Sequence, residues 1–248
     1  MAIARTLRFT GFELSLWASL YGAYLALRNL TIGSADEAFS NAATVVDVER
    51  AVGIFHEVGV QKTLALGLGL ERFFDAYYMI GFGPVIFATL LWLGLRHRDD
   101  YRKLRTVLLL SIGIASLAYV LLPTAPPRLV QGLGIADTVG LAGHDSGSFA
   151  GIKFNPYAAM PSMHVGWSLL VGLIGLRVAR RPLLRLLFAM HPILMAITVT
   201  ATGNHYFLDS IVGIAVALAA LAIVNAPWAR LASLRPQLTF GTTPCSSH

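Results

Sequence analysis

The sequence holds one cysteine, Cys245, so an internal disulfide framework is excluded. Charge is also scarce. The 19 Lys+Arg and 13 Asp+Glu make up 13% of 248 residues, about half the roughly 25% of an ordinary soluble domain. With 56% hydrophobic residues and a mean hydropathy of +0.66, a soluble fold of this size would lack the polar surface to cover itself. The same figures exclude disorder, which requires low hydrophobicity. There is no internal repeat, no low-complexity tract, and no basic patch with interleaved aromatics of the kind that marks nucleic-acid binding. What is present is long apolar runs. The chain reads as an all-α, polytopic membrane protein.

A membrane-spanning helix needs about 20 mostly apolar residues. Six runs qualify: 9–30, 73–95, 104–122, 161–178, 184–202 and 206–226. The first follows Arg5 and Arg8, but it is too long for a leader's apolar core and reads as a retained helix. Basic residues set the orientation. With the N-terminus cytoplasmic, thirteen of them, including Arg96, Arg98, Lys103, Arg177 and Arg181, lie on the cytoplasmic side. Five (Arg50, Lys62, Arg72, Arg128 and Lys153) lie outside, and Arg28 sits at the outer end of the first run. The pI near 9.8 thus reflects topology. These features predict one six-span catalytic domain over 1–230, both termini cytoplasmic, and a flexible tail over 231–248. The location is a cell membrane, with the working face extracytoplasmic.

Two connections, 31–72 and 123–160, are too long for turns and both fall outside. The first has helical period and polar residues, including Glu49, His56, Glu57 and Gln61, and predicts amphipathic helices. It serves either as a structural cap or as a wall for a lipid. The second opens with PTAPPR (123–128), whose prolines stop the preceding helix, and closes with NPYAAMPSMH (155–164). Its Gly- and Ser-rich middle, 132–151, reads as a mobile loop.

Ionisable residues inside spans are costly and mark function by default. Glu13, Asp75, His164, His191, His205 and Asp209 qualify, and His191 beside Pro192 reads as a local kink. His164, His205 and Asp209 all fall at outer helix ends. His205 and Asp209 are four apart and share a helix face. The carboxylate can hold one imidazole nitrogen and leave the other as a nucleophile, and a second histidine can act as general acid. Both helix N-termini there suit an anion. Ser162 and the planar fork of Arg128 can bind phosphate oxygens. Lys153, Asn155 and Tyr157 are further candidate headgroup contacts, as are Pro127 and Asn204 within the flanking motifs. This is phosphate chemistry that needs no metal and no cofactor. A zinc site built on the same three side chains is the metal-dependent alternative. A transporter is disfavoured, because there is no inverted repeat.

Through NPYAAMPSMHVGW (155–167), TGNHYFLD (202–209) and PTAPPR (123–128), the chain resembles the type-2 phosphatidic acid phosphatase superfamily. The resemblance implies a phosphohistidine mechanism, with His205 as nucleophile, Asp209 as its orienter, His164 as general acid, and Arg128 and Ser162 on the phosphate. Two cations of the phosphatase pattern are absent: Leu121 stands where a Lys is expected and Val199 where an Arg is expected. Fewer cations suit a phosphodiester better than a phosphomonoester. In this the chain is most similar to the aureobasidin-resistance type of inositol phosphorylceramide synthase, and the sphingomyelin synthases use a similar His-His-Asp set. The implied activity is transfer of a phosphoryl or phospho-headgroup from a phospholipid to a lipid or polyol hydroxyl. The alternative is hydrolysis of a lipid phosphate or polyprenyl (di)phosphate at the same site. The partners are therefore membrane lipids, with no nucleic acid, and the oligomeric state is open.

Overall fold

The computed structural model describes residues 15, 34–141, 148–149, 152–153 and 155–226. The expected first span over 9–30 and the tail over 231–248 lie outside them, apart from Ser15. Helix α1, Ala35–Ala51, starts at Ser34, whose hydroxyl accepts from the Glu37 amide. Asp36 and Glu37 in its first turn complement the helix dipole. Ala38, Ala42, Val45, Val46 and Glu49 form its buried stripe, at the three-and-four spacing of one helix face. Helix α2, Glu57–Gly67, begins as α-helix and widens to π-helix from Gln61.

The bundle follows. Helices α3, Glu71–Gly81, and α4, Gly83–Arg96, form one 26-residue span interrupted at Phe82. Pro84 lacks the N–H that a continuous helix would direct at the Ile80 carbonyl, so the ladder breaks there. Helix α5, Arg98–Leu121, ends at Pro123, and a single 3-10 turn over Pro127–Leu129 follows. A short α6, Thr138–Leu141, and a two-residue hairpin, β1 Ser148–Phe149 with β2 Ile152–Lys153, complete the connection. Helices α7, Met163–Val178, α8, Pro182–Ala201, and α9, Phe207–Asn225, close the bundle.

Among the described residues four helical stretches are long and apolar enough to cross a membrane: Glu71–Arg96, Arg98–Leu121, Pro182–Ala201 and Phe207–Asn225. Helix α7, expected to span, has only 16 residues. At 1.5 Å per residue it is about 24 Å long, short of a hydrocarbon core of about 30 Å. It is the inner helix, packed by α5, α8 and α9, with Val165, Leu170, Val171 and Ile174 buried. The core joins Leu93, Leu104, Val107, Leu108, Leu170, Val171, Ala217 and Ala220. Leu91, Leu95, Leu117, Ile193, Ile211 and Leu218 point outward, the surface a lipid-embedded bundle presents.

At one end of the bundle α1, α2 and the 123–160 connection form a roof. Thr124 pairs with Ala158, and the Ala125 amide bonds the Ala38 carbonyl. The Gln61 side chain donates to the Ala136 and Ala201 carbonyls and accepts from the Ala136 amide. Thr138 donates to Asp75 at 2.7 Å. The early part of the stretch expected to move freely is therefore fastened to α2 and α3.

Candidate functional site

His164 occupies the first turn of α7, His205 lies two residues before α9, and Asp209 lies in the first turn of α9. The structure brings all three together. His205 Nε2 is 3.3 Å from His164 Nδ1. His205 Nδ1 faces the Ala159 carbonyl at 2.8 Å and Asp209 Oδ2 at 3.4 Å. Both neighbours are acceptors, so Nδ1 carries the proton and Nε2 presents its lone pair toward His164. The nearer of the two is a backbone oxygen. Asp209 was the expected orienter, yet it shares that role with Ala159, a partner that residue types alone could not reveal. Asp209 Oδ2 also accepts from the Tyr206 amide at 2.9 Å. His164 is held by aromatic faces, with Tyr78 stacked at 4.8 Å between ring centroids and Phe82 at 4.2 Å. The break at Phe82 thus sits against the histidine pair.

The close approach of α7 and α9 sets this geometry. The Ser162 amide bonds the Asp209 carbonyl at 2.9 Å. Gly213 faces the Ser162 backbone, and Gly166 faces the Gly213 carbonyl so closely that an added Cβ would lie 2.6 Å from it. Gly203 has φ +70, which a β-carbon penalises, and it turns the chain from α8 into His205. Its carbonyl accepts from the Arg128 amide at 3.0 Å.

Arg128 Nη1 donates to Asn204 Oδ1 at 2.7 Å. Its Nε lies 3.4 Å from Asp137 Oδ2, in an ion pair buried at the arginine and partly exposed at the aspartate. Asn204 also donates to Thr202 Oγ1 at 2.8 Å and is buried. It therefore holds the guanidinium in place. The Ser162 hydroxyl is fully buried and has no hydrogen-bond partner among the described residues. Pro127 is buried in the 3-10 turn that aims Arg128. Asn155 accepts from the Tyr157 amide, and Tyr157 packs on Phe39 of α1. Both build the roof. The Lys153 side chain lies outside the described residues, although its backbone pairs with Ser148.

The two expected anion sites differ. At α9 the leading amides are already taken by carboxylates: Tyr206 by Asp209, Phe207 by Glu57 at 3.0 Å, and Leu208 by Glu49 at 2.6 Å. That terminus is closed to phosphate, contrary to expectation. At α7 the Ser162 hydroxyl makes no cap bond, and among the described residues no side chain takes the first amides, so this terminus keeps its donors. An apolar groove of ≈ 440 Å³ runs between α2, α7, α8 and α9, lined by Val60, Leu64, Val165, Ile193, Phe207 and Ile214, with Val165 and Phe207 following the histidines in sequence. Among the described residues no three His, Cys, Asp or Glu side chains converge as metal ligands.

A family model described as the PAP2 superfamily matches residues 43–223, which take in every residue of this site. The chain belongs to the PAP2 superfamily. Its membership supports a phosphatase-type membrane enzyme. No curated protein matches significantly. A solved structure with a similar arrangement is the crystal structure of Aquifex aeolicus LpxE, at 16% identity and a TM-score of 0.46, covering 62% of this chain and 84% of that one.

Proposed function

We propose that this PAP2 protein is a membrane lipid phosphotransferase. It moves a phosphoryl or phospho-headgroup from a phospholipid to an acceptor hydroxyl, through a phosphohistidine, at the extracytoplasmic face. The observation that carries the reading is His205, with Nδ1 fixed by two acceptors and the Nε2 lone pair turned toward His164. His205 Nε2 attacks phosphorus while His164 delivers a proton to the departing lipid oxygen. The acceptor hydroxyl, losing its proton to His164, then attacks the phosphohistidine and frees His205. Dividing the displacement replaces one hard step with two easier ones. The α7 amides, the Ser162 hydroxyl and Arg128 bind the phosphate oxygens, and the ≈ 440 Å³ groove receives a lipid chain.

Charge favours a diester donor. Leu121 and Val199 replace two cations of the phosphatase pattern, and Asp137 offsets much of Arg128. A phosphomonoester approaching two negative charges would meet less than one net positive side chain. Family membership supports the second reading, hydrolysis at the same site. Product analysis separates them. Purified protein receives a labelled phosphodiester lipid or a labelled phosphomonoester lipid, with and without diacylglycerol, ceramide or inositol, beside a His205→Ala control. A new phospholipid formed only with acceptor supports transfer. Free phosphate from the monoester, absent in the control, establishes a phosphatase and overturns the transferase reading.

A further inference from the structure

Two glutamates reach the catalytic helix from the roof. Glu49 ends the buried stripe of α1, and Glu57 opens α2. Both are fully buried. Glu49 Oε1 accepts from the Leu208 amide and Glu57 Oε1 accepts from the Phe207 amide. These are the first two residues of α9, directly after His205 and Tyr206. The remaining oxygens, Glu49 Oε2 and Glu57 Oε2, are buried and have no hydrogen-bond partner among the described residues. Carboxylates are acceptors only, so two ionised groups side by side could not satisfy each other. Two buried carboxyl groups that accept from consecutive amides cannot both ionise cheaply, and sharing one proton relieves the conflict.

We propose that Glu49 and Glu57 are positioning residues for the nucleophile: a carboxyl–carboxylate pair sharing one proton that clamps the first two amides of α9 and so fixes His205. The proposal rests on His205 being the nucleophile. The clamp accounts for a buried roof-to-helix contact that sequence separations of 159 and 150 residues would otherwise leave to loop packing. It leaves the α7 terminus as the open donor set and holds the α9 backbone without touching the reacting phosphorus. The groups around Glu49 are Glu57 of α2 and, on α9, Asp209 and the Tyr206 phenol. All are acidic or phenolic. Burial first, then the neighbouring Glu57 carboxyl, pushes the Glu49 carboxyl up to about 9. Above that pH the clamp would carry a second negative charge beside Asp209, and its two halves would repel.

The test uses the full-length protein in detergent, with Glu49→Gln, Glu57→Gln and Glu49→Ala. Gln keeps an acceptor for the amide and a donor for its partner but cannot ionise. Turnover is followed from pH 6 to 10 on the substrate that the product analysis identifies, and amide exchange is followed over residues 203–210. Wild type should lose kcat above about pH 9 with KM within twofold. Glu49→Gln should keep kcat near neutrality and lack the alkaline fall. Glu49→Ala should lose at least tenfold in kcat, with KM within about twofold, and exchange faster over 203–210. If Glu49→Ala misfolds, Glu57→Gln and Glu49→Gln still decide the matter through the alkaline limb. An alkaline fall unchanged in both Gln variants, or unchanged 203–210 exchange in Glu49→Ala, overturns the clamp. Exchange does not depend on substrate. A clamp that behaves as stated in exchange, in a protein that turns over no phospholipid, would refute the proposed activity and leave the clamp standing.

Discussion

Gly166→Ala probes the geometry of the histidine pair without touching either histidine. A Cβ at 166 would lie 2.6 Å from the Gly213 carbonyl oxygen, where ordinary contact begins near 3.4 Å. Both contacting groups belong to helix backbones, so no side chain can swing away. Relief requires α7 and α9 to part by the difference, about 0.8 Å. His164 lies half a turn from Gly166 on the same helix. The 3.3 Å His164–His205 contact would open to about 4 Å, beyond hydrogen-bond range. A misplacement near 1 Å costs on the order of 100-fold in rate. Stability should change far less: overpacking costs about 1–3 kcal/mol, while Ala recovers up to about 1 kcal/mol of helix propensity over Gly. The assay pairs initial-rate kinetics with thermal unfolding in the same detergent. The expected result is a kcat lowered roughly 30- to 100-fold in a protein that still melts cooperatively. A fully active Gly166→Ala protein would refute the claim that helix spacing sets the catalytic distance.

Asp209→Asn should cost about 10- to 1000-fold in kcat, less than the ~10⁴ seen where the carboxylate alone sets the tautomer, because Ala159 still accepts from Nδ1 at 2.8 Å; steady-state kinetics beside His205→Ala measures the difference. Asp137→Asn should tighten inhibition by inorganic phosphate about two- to fivefold, the worth of a partly exposed ion pair with Arg128. Unchanged inhibition would remove Asp137 from the charge count. Glu49 also predicts a slope in stability. Its carboxyl is raised from 4.5 to about 9, so the native state holds a proton that the unfolded chain releases. The contribution is fully present below about pH 4.5 and is lost as pH rises to about 9. Melting temperature should therefore fall from pH 5 to 9, and fall less steeply in Glu49→Gln.

The helical membrane architecture was legible because long apolar runs have few other folds open to them. The convergence of His164, His205 and Asp209 was legible because an intramembrane ionisable residue needs a reason, and three near helix ends of the same face share one. The break at Phe82 was signalled by Pro84, but hydropathy averages across it. Helix α7 fell short because apolarity cannot tell a lipid-facing span from an inner helix wrapped by its neighbours. Asn204 and Tyr157 sit inside motifs that local sequence marks without giving their tertiary partners. Their hydrogen bonds to Arg128 and to the roof depend on tertiary approach. The closed α9 terminus was hidden for the same reason: Glu49 and Glu57 lie some 150 residues from the amides they cap, and local spacing says nothing about that distance.

The central claim is that His205 carries the phosphorus. Protein incubated with a phospholipid labelled at phosphorus, without acceptor, is quenched under alkaline conditions that preserve a phosphorus–nitrogen bond, then digested and mapped. The account predicts label on the peptide containing His205, discharged to a new lipid on adding acceptor and absent in His205→Ala. Turnover with no trapped label under those conditions, or label on His164 in its place, would contradict it.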